Sequence, residues 1–300
     1  MNQAETLKQW KMQKTAERPT TVMKQMSRKN TSHYAPVVLS IGSGKGGVGK
    51  TNVVANLAVA FSRLGKKVMV LDADLGLANV DVLFGLAPKF TIQHVFSGEK
   101  ELKDVVLNGP EGIQVLPASS GIPELTRLHP SEKLFLLGEM EQLNHYIDYL
   151  LIDTAAGISD NVLYFNIVAQ ERIIVVTPEP TSITDAYALI KVLANRHDIK
   201  HFSILVNWAA TENEAYRVYQ QLTFVSDKFL GGLSLRFLGH IPRDEAVPRA
   251  VNKQKTVLQL FPESNASKSL MNIAQNLLDG GNNAYVDGNI KFFWRNLFGV

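Results

Sequence analysis

The chain predicts an α/β fold, a doubly wound and mainly parallel sheet flanked by helices, on three observations. Seven short runs rich in Val, Ile and Leu recur along it. Helical patterns lie between or after them, and a glycine-rich loop joins the first run to the first helical pattern. The predicted strands are 37–42, 67–72, 113–117, 149–153, 172–177, 202–207 and 235–240. They are nearly continuous in apolar residues, as strands buried on both faces of a parallel sheet should be. The spacing predicts helices over 51–64, 132–146, 182–196, 213–229 and 267–278. No internal repeat is present. The organisation expected is a basic extension over 1–36, one α/β domain over 37–279, a Gly/Asn linker over 280–288 that already opens at Asp279-Gly-Gly, and a short terminal helix over 289–300.

Three hundred residues suffice for a sizeable core, and 45% apolar with 20% charged is the profile of a soluble globular protein. The absence of cysteine excludes disulfides, thiolate zinc sites, cysteine-held iron–sulfur clusters and a cysteine nucleophile. No run approaches the roughly 20 apolar residues that span a bilayer. The first residues carry charge every few positions without an apolar stretch, so a secretory signal is not expected and the cytoplasm is. The formal charge of +3 is uneven: residues 1–36 hold seven Lys/Arg against Glu5 and Glu17, a balance of +5, and the remainder stands at −2. Such basic arms touch nucleic acid, anionic membranes or protein partners, or serve only as solvated leaders.

The strongest chemical signal follows the first strand: Gly44-Lys45-Gly46-Gly47-Val48-Gly49-Lys50-Thr51, then Asn52. It satisfies the G-x-x-x-x-G-K-[ST] spacing of a phosphate-binding loop. The glycines let the backbone curl so that successive N–H groups point at phosphate oxygens, and the following helix adds its positive end. Lys50 is placed to reach the β- and γ-phosphates and the Thr51 hydroxyl to ligate magnesium. The Val/Leu/Ile run ending in Asp153 brings a carboxylate toward that cation, and the run ending in Asp72-Ala-Asp74 brings two more to the edge of its strand. For any one of them, capping the next helix is the plainer role.

The second lysine of the loop, Lys45, resembles the deviant phosphate loop of the MinD/ParA family of ATPases. That resemblance implies a lysine that crosses a dimer interface to the partner's nucleotide, with two ATP molecules sandwiched between subunits. It further implies Asp72 and Asp153 in the magnesium shell with Thr51, Asp74 orienting the attacking water, and Lys45, Lys50 and Asp74 as the catalytic set. Segments flanking adenine in that family resemble Val206-Asn207 and Gly239-His-Ile-Pro242-Arg243-Asp244, with Asn207 at the base edge and Pro242 on the ring; Glu179 resembles a position touching the partner's ribose.

Both tails sharpen the resemblance. Ile290, Phe293, Trp294, Leu297 and Phe298 fall on one face of a helix that also carries Lys291 and Arg295. An aromatic, basic amphipathic helix of this kind reads as an interfacial membrane anchor, which a dimer would present twice. The opening Asn2-Gln3-Ala-Glu-Thr-Leu-Lys8 is similar to the D-Q-A-x-x-L-R activator motif of the FlhG (FleN, YlxH) flagellar-number regulators, with Asn for Asp and Lys for Arg. In that family the glutamine completes the active site of the SRP-type GTPase FlhF. Asn52 and the run 72–85 also resemble this branch more than division-site MinD. The expectation is therefore a magnesium-dependent ATPase that dimerises with ATP, sits reversibly on anionic membrane at the inner face of a bacterial cell, and stimulates FlhF through Gln3. Flagellar C-ring proteins or a flagellar transcription activator are further implied partners; direct DNA binding is not expected. A MinD-type division ATPase would leave residues 1–36 without a role, and a ParA-type DNA-segregation ATPase would leave the aromatic terminal helix without one.

Overall fold

The strand that leads into the glycine-rich loop, β1 (Val37–Ser43), is hydrogen-bonded on one side to β5 (Tyr149–Ala156) and on the other to β6 (Glu171–Val176), both parallel to it. In the computed structural model, residues 36–74, 79–91, 94–95, 97–117, 138–139 and 147–280 are described. Among them the sheet has eight strands. Adding β2 (Val68–Ala73), β3 (Leu107–Asn108), β4 (Gln114–Leu116), β7 (His201–Ala209) and β8 (Ser234–Pro242) gives the order β3-β4-β2-β5-β1-β6-β7-β8. Every pairing is parallel except the short β3–β4 edge. After β1 the chain moves outward to β2, whereas after β5 it crosses β1 to β6. The carboxyl end of β1 is thus the point where strand order reverses, and doubly wound sheets bind ligands at such a crevice.

Helices cover both faces. On one face, α1 (Lys50–Arg63) is buried without interruption from Val53 to Phe61. An amphipathic helix buries one stripe; this one is enclosed all round because it lies between the sheet and a further helix (Asn265–Gly280), with Leu57, Phe61, Leu270 and Ile273 in one cluster with Leu39, Ile41 and Leu151 of the strands. On the other face lie α4 (Asp160–Val168), α5 (Pro180–His197) and α6 (Glu212–Phe229), whose Leu189, Leu193 and Leu222 meet Ile174, Ile204 and Val206. Short helices α2 (Val80–Leu83), α3 (Leu102–Val105), α7 (Ala246–Val251) and α8 (Val257–Leu260) turn the chain between these layers, and α9 is the helix Asn265–Gly280.

All seven predicted strands and four of the five predicted helices are present, within a few residues at the ends. The fifth helix, over 132–146, the arm 1–35 and the tail 281–300 lie outside the described residues, apart from 138–139. Three differences have physical reasons. Helix α4 shows no apolar stripe in sequence because Val162, Leu163 and Phe165 bury different sides of it, and Arg172 of β6 satisfies its last carbonyls at Asn166, Ile167 and Ala169. Strand β5 runs three residues beyond Asp153, so that carboxylate sits inside the sheet rather than at its rim. Helix α9 continues through Asp279 and Gly280, where the linker was expected to begin, and a Gln275–Asp279 side-chain hydrogen bond of 2.9 Å supports that last turn.

A buried polar link fixes α1 against the chain that follows the sheet. Asn56, fully buried, donates to the Asn52 carbonyl at 2.8 Å and accepts from the backbone N–H of Leu258 at 3.2 Å. Removing that acceptor leaves the first turn of α8 with an unpaired donor, so Asn56→Ala is expected to lower unfolding stability by about 1–3 kcal/mol, read from the urea midpoint at unchanged slope.

Candidate active site

The loop 44–49 is formed by backbone geometry that its residue types permit and held by contacts from behind. Gly49, the residue before α1, has φ +86°, and a Cβ there would stand 2.5 Å from Asn207 Nδ2. A Cβ on Gly44 would fall 2.0 Å from the Asp185 carbonyl of α5, so the loop touches that helix backbone to backbone. Asn207, at the end of β7, donates to the Val48 carbonyl at 2.8 Å, and Ser43 Oγ donates to the Lys45 carbonyl at 2.8 Å. In front of the loop, a Cβ at Gly46 or Gly47 would meet nothing within 4 Å. The loop is pinned on its protein side and open on the other, which is what a cradle for an anion requires.

The carboxylates converge beside it. Asp72 of β2 and Asp153 of β5 are register partners on adjacent strands, and Asp153 is in turn level with Ile41 of β1. Asp72 accepts from the backbone N–H groups of Asp74, Asn79 and Val80 at 3.1–3.2 Å, so it holds the start of α2, the plainer role that any strand-end aspartate can play. Burial pushes its pKa up to about 6 against those donors. Asp153 is wholly buried, and neither carboxylate oxygen has a hydrogen-bond partner. Burial pushes it up to about 7; the Thr51 hydroxyl and the Lys50 ammonium pull the other way, and Asp72 and Asp74 add to the rise. Asp74 closes β2 at the sheet edge, half-buried.

An orphaned carboxylate next to a buried lysine and a threonine hydroxyl fits a hydrated divalent cation, whose waters would give both oxygens their missing donors. Among the described residues no group of three or more Asp, Glu or His forms a metal cage. The remaining ligands would therefore come from phosphate oxygens, the pattern usual for magnesium. Lys50, only 8% exposed, lies within the site.

The other predicted residues are placed as follows. Lys45 reaches out of the loop to Glu179 Oε2 at 2.7 Å and to Thr181 Oγ1 at 3.0 Å, both in its own chain. Thr181 was not foreseen; it lies 136 residues away and carries no motif. Asn52 turns along α1, its side-chain oxygen accepting from Asn56 at 2.8 Å. Pro242 ends β8 opposite Ala209, and the Arg243 N–H donates to the Ala209 carbonyl at 3.1 Å, so both stand beside the end of β7. Asp244 caps two helices, accepting from Ala246 N–H at 2.9 Å and Ala266 N–H at 3.0 Å; burial would raise its pKa, but these bonds and those from Ser264 and Asn265 hold it below the usual value. Gln3, Ile290, Phe293, Trp294, Leu297 and Phe298 lie outside the described residues. The structure thus brings Lys50, Thr51, Asp72, Asp74, Asp153 and Asn207 to one end of the sheet. At Asp153 burial outweighs the help of Lys50 and Thr51, so in nucleotide- and metal-free protein Asp153→Asn is expected to raise unfolding stability by about 1–3 kcal/mol, measured by urea denaturation at pH 8.

Comparison with known proteins agrees with this geometry. Residues 39–257 match the CobQ/CobB/MinD/ParA nucleotide-binding domain family. The chain is 46% identical over 271 residues to the antiactivator FleN of Pseudomonas aeruginosa, an alignment covering 90% of this chain and 95% of that protein. It is 35% identical over 236 residues to the flagellum site-determining protein YlxH of Helicobacter pylori, covering 79% and 80%. The MinD cell division protein of Aquifex aeolicus superposes with a TM-score of 0.64 at 26% identity, covering 81% of this chain and 97% of that one. The two-lysine phosphate loop, the register-paired aspartates and these similarities place the chain in the MinD/ParA nucleotide-binding family, in the branch that includes FleN and YlxH.

Proposed function

We propose that this chain is a magnesium-dependent ATPase that dimerises around two ATP molecules and regulates the number and placement of flagella. The observation that carries the hydrolytic part is Asp153: a buried carboxylate with both oxygens orphaned, facing Lys50 and Thr51 behind an open phosphate loop. The loop N–H groups and Lys50 bind the triphosphate. Thr51, Asp72 and Asp153 would hold the cation, which when bound would neutralise charge that develops on the transferred phosphoryl group. Asp74 orients the attacking water at the edge of β2. Lys45 leaves Glu179 and Thr181 to reach the partner's nucleotide, and Glu179 meets the partner's ribose. Asn207, with one amide hydrogen committed to Val48, keeps a second for the base edge.

The flagellar part rests on the relatives, one an antiactivator and the other a flagellum site-determining protein. In this reading the helix over 289–300 settles on anionic membrane in the ATP dimer, and Gln3 in the basic arm completes the site of FlhF. Flagellar C-ring proteins or a flagellar transcription activator then read the ATP dimer.

Lys45→Ala is expected to abolish ATP-dependent dimers in size-exclusion chromatography while nucleotide still binds. Asp74→Ala is expected to retain the dimer and to lower turnover by at least about 100-fold, the usual weight of a positioned proton-handling group. A peptide of residues 1–35 is expected to accelerate GTP hydrolysis by FlhF, and the acceleration to vanish with Gln3→Ala; a GTPase rate indifferent to either would refute the activator role while leaving the ATPase intact.

A further inference from the structure

The carboxyl end of β7 departs from regular geometry at one residue. Ile204 and Val206 face the core shared with α5 and α6, while Leu205 faces the α1 side. Strict alternation would send residue 208 into the α5–α6 core and residue 209 to the opposite face. Instead Ala209 sits in the α5–α6 core, and the pairing with β8 slips so that Asn207 is opposite Ile241 and Ala209 opposite Pro242. Trp208 is the extra residue of this bulge. Its φ is +63°, a left-handed conformation that a bulky side chain rarely adopts. The surroundings hold it there: Trp208 N–H donates to Asn207 Oδ1 at 3.0 Å, and Arg243 N–H donates to the Ala209 carbonyl at 3.1 Å. Trp208 accordingly belongs to neither core and is 48% exposed at the strand end, directly after the asparagine that braces the phosphate loop and before Ala209, which pairs with the proline that ends β8.

Bulges next to active sites re-aim a side chain, and strain kept by a well-packed fold points to a use for the strained residue. We infer that Trp208 is the aromatic platform on which the base of the bound nucleotide stacks. The inference rests on the nucleotide reading above and adds a residue to it. A loop that grips phosphates leaves the base to extend along the sheet's carboxyl end, and the indole face offers it a flat, apolar and polarisable surface. Stacking engages the π-face that every base has, so Trp208 supplies affinity for the base and is indifferent to its edge groups.

The test uses the full chain and isothermal titration with magnesium and three probes: ADP, GDP and inorganic tripolyphosphate. Trp208→Gly removes the indole and relaxes the left-handed backbone, so its Tm is expected not to fall. Affinity for ADP is expected to weaken roughly ten-fold, and whatever affinity GDP has by a similar factor, from the weight of one base–aromatic stack. Tripolyphosphate affinity should be unchanged, and Trp208→Phe should recover most of the loss. In the Trp10→Phe/Trp294→Phe chain, where Trp208 is the remaining indole, ADP should quench emission. Unchanged ADP affinity in Trp208→Gly overturns the inference, and so does a parallel loss of tripolyphosphate affinity, which would mean that the residue acts through Asn207 on the loop. If tripolyphosphate binds too weakly to titrate, failure of Trp208→Phe to recover affinity overturns it instead. A wild-type chain that binds neither ADP nor tripolyphosphate overturns the nucleotide reading itself.

Discussion

The glycine-rich loop can offer its N–H groups to an anion only if the protein does not use them, and this constraint organises the rest of the molecule. A loop whose N–H groups face an anion must be fixed from behind. Asn207 takes the Val48 carbonyl, Ser43 takes the Lys45 carbonyl, and Gly44 presses on the α5 backbone. Those three supports come from β7, β1 and the helix after β6, so the sheet order that brings β6 and β7 beside β1 is a condition for the loop's shape. The enclosure of α1 by strands and α9 does the same for the helix that the loop starts. Rigidity in the core thus becomes preorganisation at the site, where it lowers the cost of binding.

The second constraint is electrostatic and runs against stability. Asp72 and Asp153 stand level on neighbouring strands, and both are raised above the usual carboxylate range by burial. Asp72 is compensated by three backbone donors; Asp153 has none. A fold that buries a carboxylate with both oxygens unbonded is weaker for it, because Lys50 and Thr51 offset only part of the cost of burial. The two residues differ accordingly: Asp72 holds the turn into α2, whereas both oxygens of Asp153 lack a hydrogen-bond partner.

Much of this was legible in the sequence because it is local. Near-continuous apolar runs gave the strands, and the loop spacing with its flanking strand and helix gave Lys50, Thr51 and the crevice. What was not legible depends on pairing across the chain. The bond from Asn207 to Val48 joins residues 159 apart, and its partner is a carbonyl that no residue type advertises. Helix α4 escaped because neighbours bury it on several sides and erase the stripe that periodicity detects. The bulge at Trp208 escaped for a related reason: a slip of one residue follows from how β7 and β8 end together. A large aromatic directly after the asparagine of a strand end was the available signal, and it becomes informative only when the turn conformation is known.

Lys45 shows how the same side chain can serve a single chain and an assembly. Its contact with Glu179 is short, 2.7 Å, but the two side chains are 37% and 56% exposed. Ion pairs in such a setting contribute about 0–1 kcal/mol, because water screens them and two flexible chains must be held. A polyphosphate carries more negative charge than one carboxylate, and a closing interface would exclude the water that weakens the pair. On the proposed dimer the balance would shift away from Glu179 when a nucleotide-bearing surface arrives and return when it leaves. Thr181 adds a neutral acceptor that keeps the ammonium solvated by the protein without raising that balance much. The free chain therefore holds its second lysine in a defined place at small energetic cost. On the proposed dimer, an opposing group that claimed the lysine would also leave Glu179 free to face the same partner.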